Sequence, residues 1–267
     1  MTSLQPFASD QPDEHGIATL TLHGDKSLNI IGMAAMEAAS AALAQLAADP
    51  RLRVLIVRGP ATGNFVGGAN IHEMAALTPE TAPVFIRRLK DLCEGLRSFP
   101  VPVIARLSGW CLGAGLEMAM ACDLRLCDST ARFGMPEVKV GIPSVIHAAL
   151  MPRLIGQARA AWILLTGEPI GAGTALAWGL VHSVCAPDVL DAELGATARQ
   201  LAGLAPAVLR QQKRLLRSWE SLTPDAAIEA SVAEFAQAFT TGEPQREMGD
   251  FLRRKPAAGS TASAPEA

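Results

Sequence analysis

The chain has 267 residues, of which 49% are hydrophobic and 18% charged, with a formal net charge of −3 and a pI near 6.0. That length can bury a large core without external staples, and the mildly acidic balance leaves no electrostatic footprint for nucleic acid as a partner. Five cysteines (Cys93, Cys111, Cys122, Cys127, Cys185) are odd in number and lack a Cys-x-x-Cys spacing. Four of them sit in apolar runs, as reduced core thiols do, and no run is long enough to span a bilayer, so a soluble, unprocessed, cytoplasmic protein is expected.

In chain order, Ile17 to Leu22 alternates with period two and predicts a strand. Met33 to Ala48 is Ala-rich with apolar residues at helical spacing, and Leu52 to Val57 is a β-branched run that predicts the next strand. After a glycine turn, Pro79 to Phe99 reads as a helix entered by proline in its first turn. A strand over Val101 to Leu107, a helix over Gly113 to Ala121 and a strand near Leu124 to Cys127 complete the mixed part. Beyond Pro143 the strands stop, and each long segment up to Leu252 reads as helix. The tail is rich in Pro, Ala, Ser and Gly and is expected to be disordered. No internal repeat is visible in the sequence.

Two segments share a layout of short strand, glycine turn and helix start: Phe65-Val66-Gly67-Gly68-Ala69-Asn70-Ile71-His72-Glu73-Met74 and Ser108-Gly109-Trp110-Cys111-Leu112-Gly113-Ala114-Gly115. Each can aim free backbone N–H groups into a cleft, because the first N–H groups of a helix have no intrahelical partner. Two such ends can cradle an oxyanion, and the alternative is a pair of plain tight turns. Gly113-Ala114-Gly115 has no glycine three residues later, which argues against a dinucleotide site, and no phosphate P-loop is present.

Glu117 stands in the middle of the buried-looking helix that follows. Its neighbours three and four residues away are Gly113, Ala114, Met120 and Ala121, so nothing on its own helix can pair with it. Either a distant Arg or Lys pairs with it or the carboxylate has a task. A second carboxylate, Glu137, follows in Phe133-Gly134-Met135-Pro136-Glu137-Val138, where proline argues for a rigid turn. Taken alone it reads as a solvated residue with Lys139 nearby; taken with Glu117, it can face the same cleft from a separate element.

Phe65 to Met74, Gly109 to Glu117 and Phe133 to Gly141 resemble, in order and separation, three signature blocks of the crotonase (enoyl-CoA hydratase/isomerase) superfamily. The likeness runs from about Ile17 to Pro256, with Phe235 to Pro256 similar to the family's closing helix. The resemblance implies an α/β fold, a spiral of ββα units carrying the acyl-CoA site over residues 1–200, followed by a helical trimerisation region over 201–255 and the tail 256–267. It implies a homotrimer or homohexamer, with coenzyme A entering as part of the substrate rather than as a cofactor.

By the same resemblance, the backbone N–H groups of Ala69 and Ala114 form the oxyanion hole, and Glu117 and Glu137 fall on the two catalytic glutamates of the hydratases. Asn70 stands where the family has an aspartate and Ala114 where it has the middle glycine of three, which puts a capping carboxylate in doubt and narrows the cleft by a methyl. Lys26 and Leu28 match a segment that lines the coenzyme A pocket, and Gly67, Gly68, Asn70, Ile71, Trp110, Gly113, Pro136, Ile142 and Ser144 are expected along the substrate path. Phe85, Leu89 and Val145 join Trp110, Ile142 and Ser144 as candidates for setting the acyl group.

The implied activity is addition of water across the 2,3-double bond of a 2-enoyl-CoA. Alternatives are a Δ3,Δ2-enoyl-CoA isomerase, a CoA-thioester hydrolase, or a non-enzymatic acyl-CoA-binding or RNA-associating member. The five histidines (His15, His23, His72, His147, His182) show no paired ligand spacing and no metal site is expected. Ser144 is not in a Gly-x-Ser-x-Gly elbow and reads as a cap of the helix after it.

Overall fold

The computed structural model describes residues 7–25, 27–61 and 63–253. Lys26 and the tail 256–267 therefore lie outside the described residues.

The first half repeats one path: a strand of the main sheet, a very short second strand, then a helix. After β1 (Phe7–Ser9), β2 (Ile17–Leu22) leads to β3 (Ile30–Ile31) and α1 (Met33–Ala47). Next, β4 (Val54–Arg58) leads to β5 (Gly68–Ala69), α2 (Ile71–Ala75) and α3 (Ala82–Arg97). The third pass is β6 (Val103–Leu107), β7 (Trp110–Leu112) and α4 (Ala114–Ala121). A fourth begins with β8 (Leu124–Asp128) and β9 (Arg132–Gly134), but 3-10 turns at Pro136–Val140 and Ile146–Leu150 replace its long helix. Then follow α5 (Met151–Ile155), α6 (Gln157–Thr166), β10 (Ile170–Gly171), α7 (Ala172–Trp178), β11 (Ser183–Cys185) and α8 (Leu190–Ala202). The ββα spiral is thus a repeat of backbone path with no matching repeat of sequence.

The main sheet has the order β1-β2-β4-β6-β8-β11, parallel except for the antiparallel β1–β2 edge. Its central strands β4, β6 and β8 are buried on both faces, as parallel strands covered by helices are, while β2 alternates between buried and half-buried residues. In β4, Leu55 and Val57 enter the large core beneath α1, α3 and α4, while Val54 and Ile56 join Ile104 and Leu126 against Leu190, Leu194, Ala198 and Ala202 of α8. The expectation that strands stop after Pro143 is corrected here: β11 extends the main sheet parallel to β8. Three residues are too few to show a periodicity, so the neighbouring strand rather than local pattern makes Ser183–Cys185 a strand.

The predicted helix from Pro79 starts instead at Ala82. Thr78 and Thr81 hold each other in a turn, the Thr78 N–H donating to Thr81 Oγ1 at 2.8 Å, and Pro83 rather than Pro79 takes the first helical turn. The described residues form two compact units that divide between Leu204 and Ala205, so residue 200 lies inside α8 and the junction follows it. The second unit contains α9 (Pro206–Trp219), α10 (Pro224–Ala238), a 3-10 turn at Phe239–Thr241 and α11 (Glu243–Arg253). Within it, the Glu243 carboxylate accepts the Ala207 and Val208 N–H groups at 3.0 and 2.9 Å, closing the exposed donors at the start of α9.

Asn29 ties the first pass to the second. Buried, and at a left-handed φ of 57°, it accepts the Gly24 N–H at 2.5 Å and donates to Leu22 O at 3.1 Å and to Phe65 O. Asn29→Ala strands these buried groups and leaves a side chain at positive φ, at an expected cost of about 2–4 kcal/mol. A denaturation midpoint equal to wild type, with unchanged slope, would show that the network contributes nothing.

Candidate active site

The short second strands build the site. β3 and β5 pair in parallel, the Gly67 N–H donates to Leu28 O at 2.8 Å and the Asn70 N–H to Ile31 O at 2.8 Å. A parallel bridge between Val66 and Cys111, with the Leu112 N–H donating to Val66 O at 3.0 Å, lays the second glycine segment beside the first. Ala69 and Ala114 each lie three residues beyond that bridge, so the register brings both turns to the same level. A Cβ on Gly115 would collide with Val66 O, which is why glycine stands there.

Each segment then enters a helix. The Asn70 side chain caps α2, accepting the His72 and Glu73 N–H groups at 3.0 and 3.4 Å, so the amide does the work for which a carboxylate had been in doubt. Glu73 reaches the other way and accepts the Met33 N–H at 2.9 Å, capping α1. Ala114 is the first residue of α4, where the i→i−4 ladder has not begun.

The two carboxylates meet at this level. Glu117, in the first turn of α4, is 4% exposed, and among the described residues no Arg or Lys forms an ion pair with it. Instead its Oε1 accepts the Ala148 N–H at 3.1 Å, with the His147 backbone assisting. Burial pushes its pKa up to about 8, the Ala148 bond opposes that shift, and Glu137 adds to it by like-charge repulsion. Glu137 lies in the 3-10 turn behind Pro136, half-buried rather than solvated, and burial raises its pKa against hydrogen bonds from its own backbone and from Ser144. A Cβ on Gly113 would strike Glu137 Oε1, so only glycine, here at φ 50°, lets this carboxylate lie over the start of α4.

A cavity of about 460 Å³ joins these groups. Gly67, Gly68, Ala69, Asn70, Ile71, Gly113, Ala114, Glu117, Pro136, Glu137, Ile142 and Ser144 all line it, as do Phe85, Leu89 and Val145. Leu28 and Trp110 do not: Leu28 contributes through its carbonyl, and the Trp110 N–H donates to Asn64 Oδ1 at 2.8 Å away from the cavity wall. Ser144 does not cap the turn after it, whose first residue follows Val145; its hydroxyl donates to Glu137 Oε2 at 2.9 Å.

Residues that sequence reasoning did not assign include Asp25, Ile30, Met74, Ile86 and Lys139. Ile86 follows Phe85 and precedes Leu89 by three, so the α3 face could have revealed it. Asp25 carries no local signal. Among the described residues no cluster of His, Cys, Asp and Glu could hold a metal, and no helix is long and apolar enough to cross a membrane.

Comparison with known proteins agrees with this architecture. Residues 13–258 match the enoyl-CoA hydratase/isomerase family, and the chain belongs to it. A probable enoyl-CoA hydratase of Bacillus subtilis is 33% identical over 90% of this chain and 94% of its own length. A crotonyl-CoA hydratase of Syntrophomonas wolfei is 30% identical over 91% and 94%. The crystal structure of an enoyl-CoA hydratase from Mycobacterium smegmatis superposes with a TM-score of 0.89 at 27% identity, covering 95% of this chain and 99% of that one.

Glu117 makes a thermodynamic prediction. With its pKa raised from 4.5 to about 8, the folded protein holds a proton that the unfolded chain releases, so the fold weakens as pH rises through that window. Glutamine keeps an oxygen for the Ala148 N–H and cannot ionise. Glu117→Gln is therefore expected to gain on the order of a few kcal/mol over wild type between about pH 5 and pH 9, read from denaturation midpoints. An identical difference at both pH values would remove burial as the cause.

Proposed function

We propose that the chain is a 2-enoyl-CoA hydratase working through Glu117, Glu137 and a backbone oxyanion hole. The observation that carries this reading is the presence of two carboxylates on separate elements in one cavity, beside two strand-turn-helix junctions in register. Its relatives' names support the same activity.

In the hydration step, the thioester oxygen takes up the charge that develops as water attacks C3, and the N–H groups of Ala69 and Ala114 hold that oxygen. With the single proton of the pair on Glu137, the ionised Glu117 holds the water and takes its proton as the oxygen bonds to C3. Glu137 gives a proton to C2, and the carbon–carbon double bond becomes single. One proton enters with the pair and one remains at the end, so the two carboxylates titrate as a unit, and the water between them is the path for resetting. Coenzyme A is part of the substrate, and the chemistry needs no metal. The largely apolar wall of Phe85, Ile86, Leu89 and Val145 suits an acyl chain.

Glu117→Gln and Glu137→Gln are each expected to lower hydration by on the order of 10²–10⁴, with acyl-CoA binding little changed. Loss of the conjugated absorbance of a panel of enoyl-CoAs measures this. Full turnover in Glu117→Gln would end the hydratase reading, and loss confined to Glu137→Gln would point to an isomerase using one base.

Assembly into trimers or hexamers belongs to the same proposal. The C-terminal unit leaves Phe235, Phe251 and Leu252 at least 71% exposed, more apolar surface than a solitary helical unit leaves to water without risk of aggregation. Light scattering should give the mass of three or six chains, lowered in a Phe251→Glu, Leu252→Glu variant. A monomeric wild type would overturn it.

A further inference from the structure

Ser144, on the cavity wall, commits its hydroxyl to a candidate catalytic carboxylate, 2.9 Å from Glu137 Oε2. The other oxygen of that carboxylate, Oε1, lies over the Cα of Gly113, at the turn that presents the Ala114 N–H. The two oxygens are therefore distinguished: one is tethered, and one faces the end of the cavity where the thioester would sit. We propose that Ser144 is a positioning residue that fixes the rotamer of Glu137 and selects Oε1 as the oxygen that exchanges the C2 proton. The proposal rests on the hydratase reading and extends it.

The segment around Ser144 supports the assignment independently. Four residues on, the Ala148 N–H holds Glu117, so residues 144–148 form one strap that touches both carboxylates. Between the two anchors Ile146 sits at φ 41°, a strained position for a β-branched residue that persists only where its surroundings over-determine it. Behind it the buried His147 directs Nε2 to Glu94 of α3 at 3.4 Å. The strap is pinned at Glu137, at Glu117 and at Glu94, and a hydroxyl at position 144 keeps its first anchor in either protonation state: it donates to the carboxylate and accepts from the acid. An alanine there leaves the fold and the cavity wall in place while freeing Glu137 to rotate about its terminal torsion.

The test compares Ser144→Ala and Ser144→Thr with wild type. Asp25, His72, Lys139 and Glu117, the other titratable groups on the wall, are unchanged in both. For Ser144→Ala, kcat should fall about 10- to 100-fold with KM within about threefold, and Ser144→Thr should recover most of the loss. In a Glu137→Gln background Ser144→Ala should add little, because the two residues act as one unit. Independently of turnover, carbon-13 labelling of glutamate carboxyls, with the Glu137 signal identified by its absence in Glu137→Gln, should show its titration midpoint rising by about half a pH unit or more in Ser144→Ala and not in Ser144→Thr. Inactive wild type on every enoyl-CoA, with that midpoint shift present, would remove the hydratase reading and keep the tether. An active wild type whose kcat and Glu137 midpoint are both unmoved by Ser144→Ala, or full additivity with Glu137→Gln, would overturn the proposal.

Discussion

Keeping a carboxylate out of water beside another carboxylate is the constraint on which this structure turns. Among the described residues Glu117 has no cation paired with it, so its surroundings either supply donors or force a proton onto it, and both occur: the Ala148 N–H meets Oε1 while burial drives the pKa up. The donor comes from a segment 31 residues further along the chain, which means that the helix bearing Glu117 and the turn bearing Ala148 have to be fixed relative to each other before either is of use. The main sheet does this indirectly. It fixes β6 and β8, and the short strands β7 and β9 that extend from them pair in parallel and carry α4 and the Pro136 turn to the same end.

Much of that was legible in the amino-acid sequence where one residue type answers one physical need. Ile17–Leu22 alternates because one face of an edge-proximal strand is covered less than the other, and its bounds emerge intact in β2. The glycines at 113 and 115 mark places where backbone or carboxylate oxygen approaches closer than a Cβ allows, so their spacing held the outline of the site. The isolation of Glu117 on its own helix was likewise plain. Ser144 was not, because a serine after proline and before an apolar run has the look of a helix cap, and only the fold of residues 137–144 back on themselves shows that its hydroxyl meets Glu137. The bridge between Val66 and Cys111 was equally silent. Register between short segments 45 residues apart depends on the sheet that carries them, not on anything within either segment.

The geometry also bears on the proposed function against the other classes that the sequence left open. A module that merely bound acyl-CoA would gain nothing from lining its apolar cavity with two carboxylates whose ionisation the cavity itself resists, since burial raises both pKa values and ionising either one weakens the folded state. Natural proteins retain such groups where chemistry needs a proton held near its point of use. A thioester hydrolase would use the same turns as its proposed oxyanion hole, but it requires attack at the carbonyl carbon. Here both carboxylates stand with the Gly113–Ala114 turn, one over it and one on the helix it opens, which suits atoms next to the carbonyl. An association with RNA finds no support in a chain whose balance is acidic.

A final consequence concerns where this chain can vary without losing its chemistry. The main-sheet strands β2, β4, β6, β8 and β11 divide their side chains between two cores, with Val54, Ile56, Ile104 and Leu126 committed to α8 and Leu55 and Val57 to the helices that carry the site. The plate is thus locked from both sides, and volume changes in it cost stability directly. The cavity wall is different. Phe85, Ile86 and Leu89 present one face of α3, and Ile142 and Val145, both exposed, lie in a loop and at the start of a 3-10 turn. None of them holds a sheet register, and none of their side chains bonds to either glutamate; the Ile142 N–H donates to the Glu137 backbone O at 3.2 Å, a bond that does not depend on the side chain at 142. Exchanging these side chains reshapes the cavity, under the proposed function the space for the acyl group, while the glycine turns, the strap and the two carboxylates stay where the sheet has put them. On the proposed reading, substrate range is therefore physically separable from the catalytic frame, with Ser144 at the boundary: on the cavity wall by position, and part of the frame through its bond to Glu137.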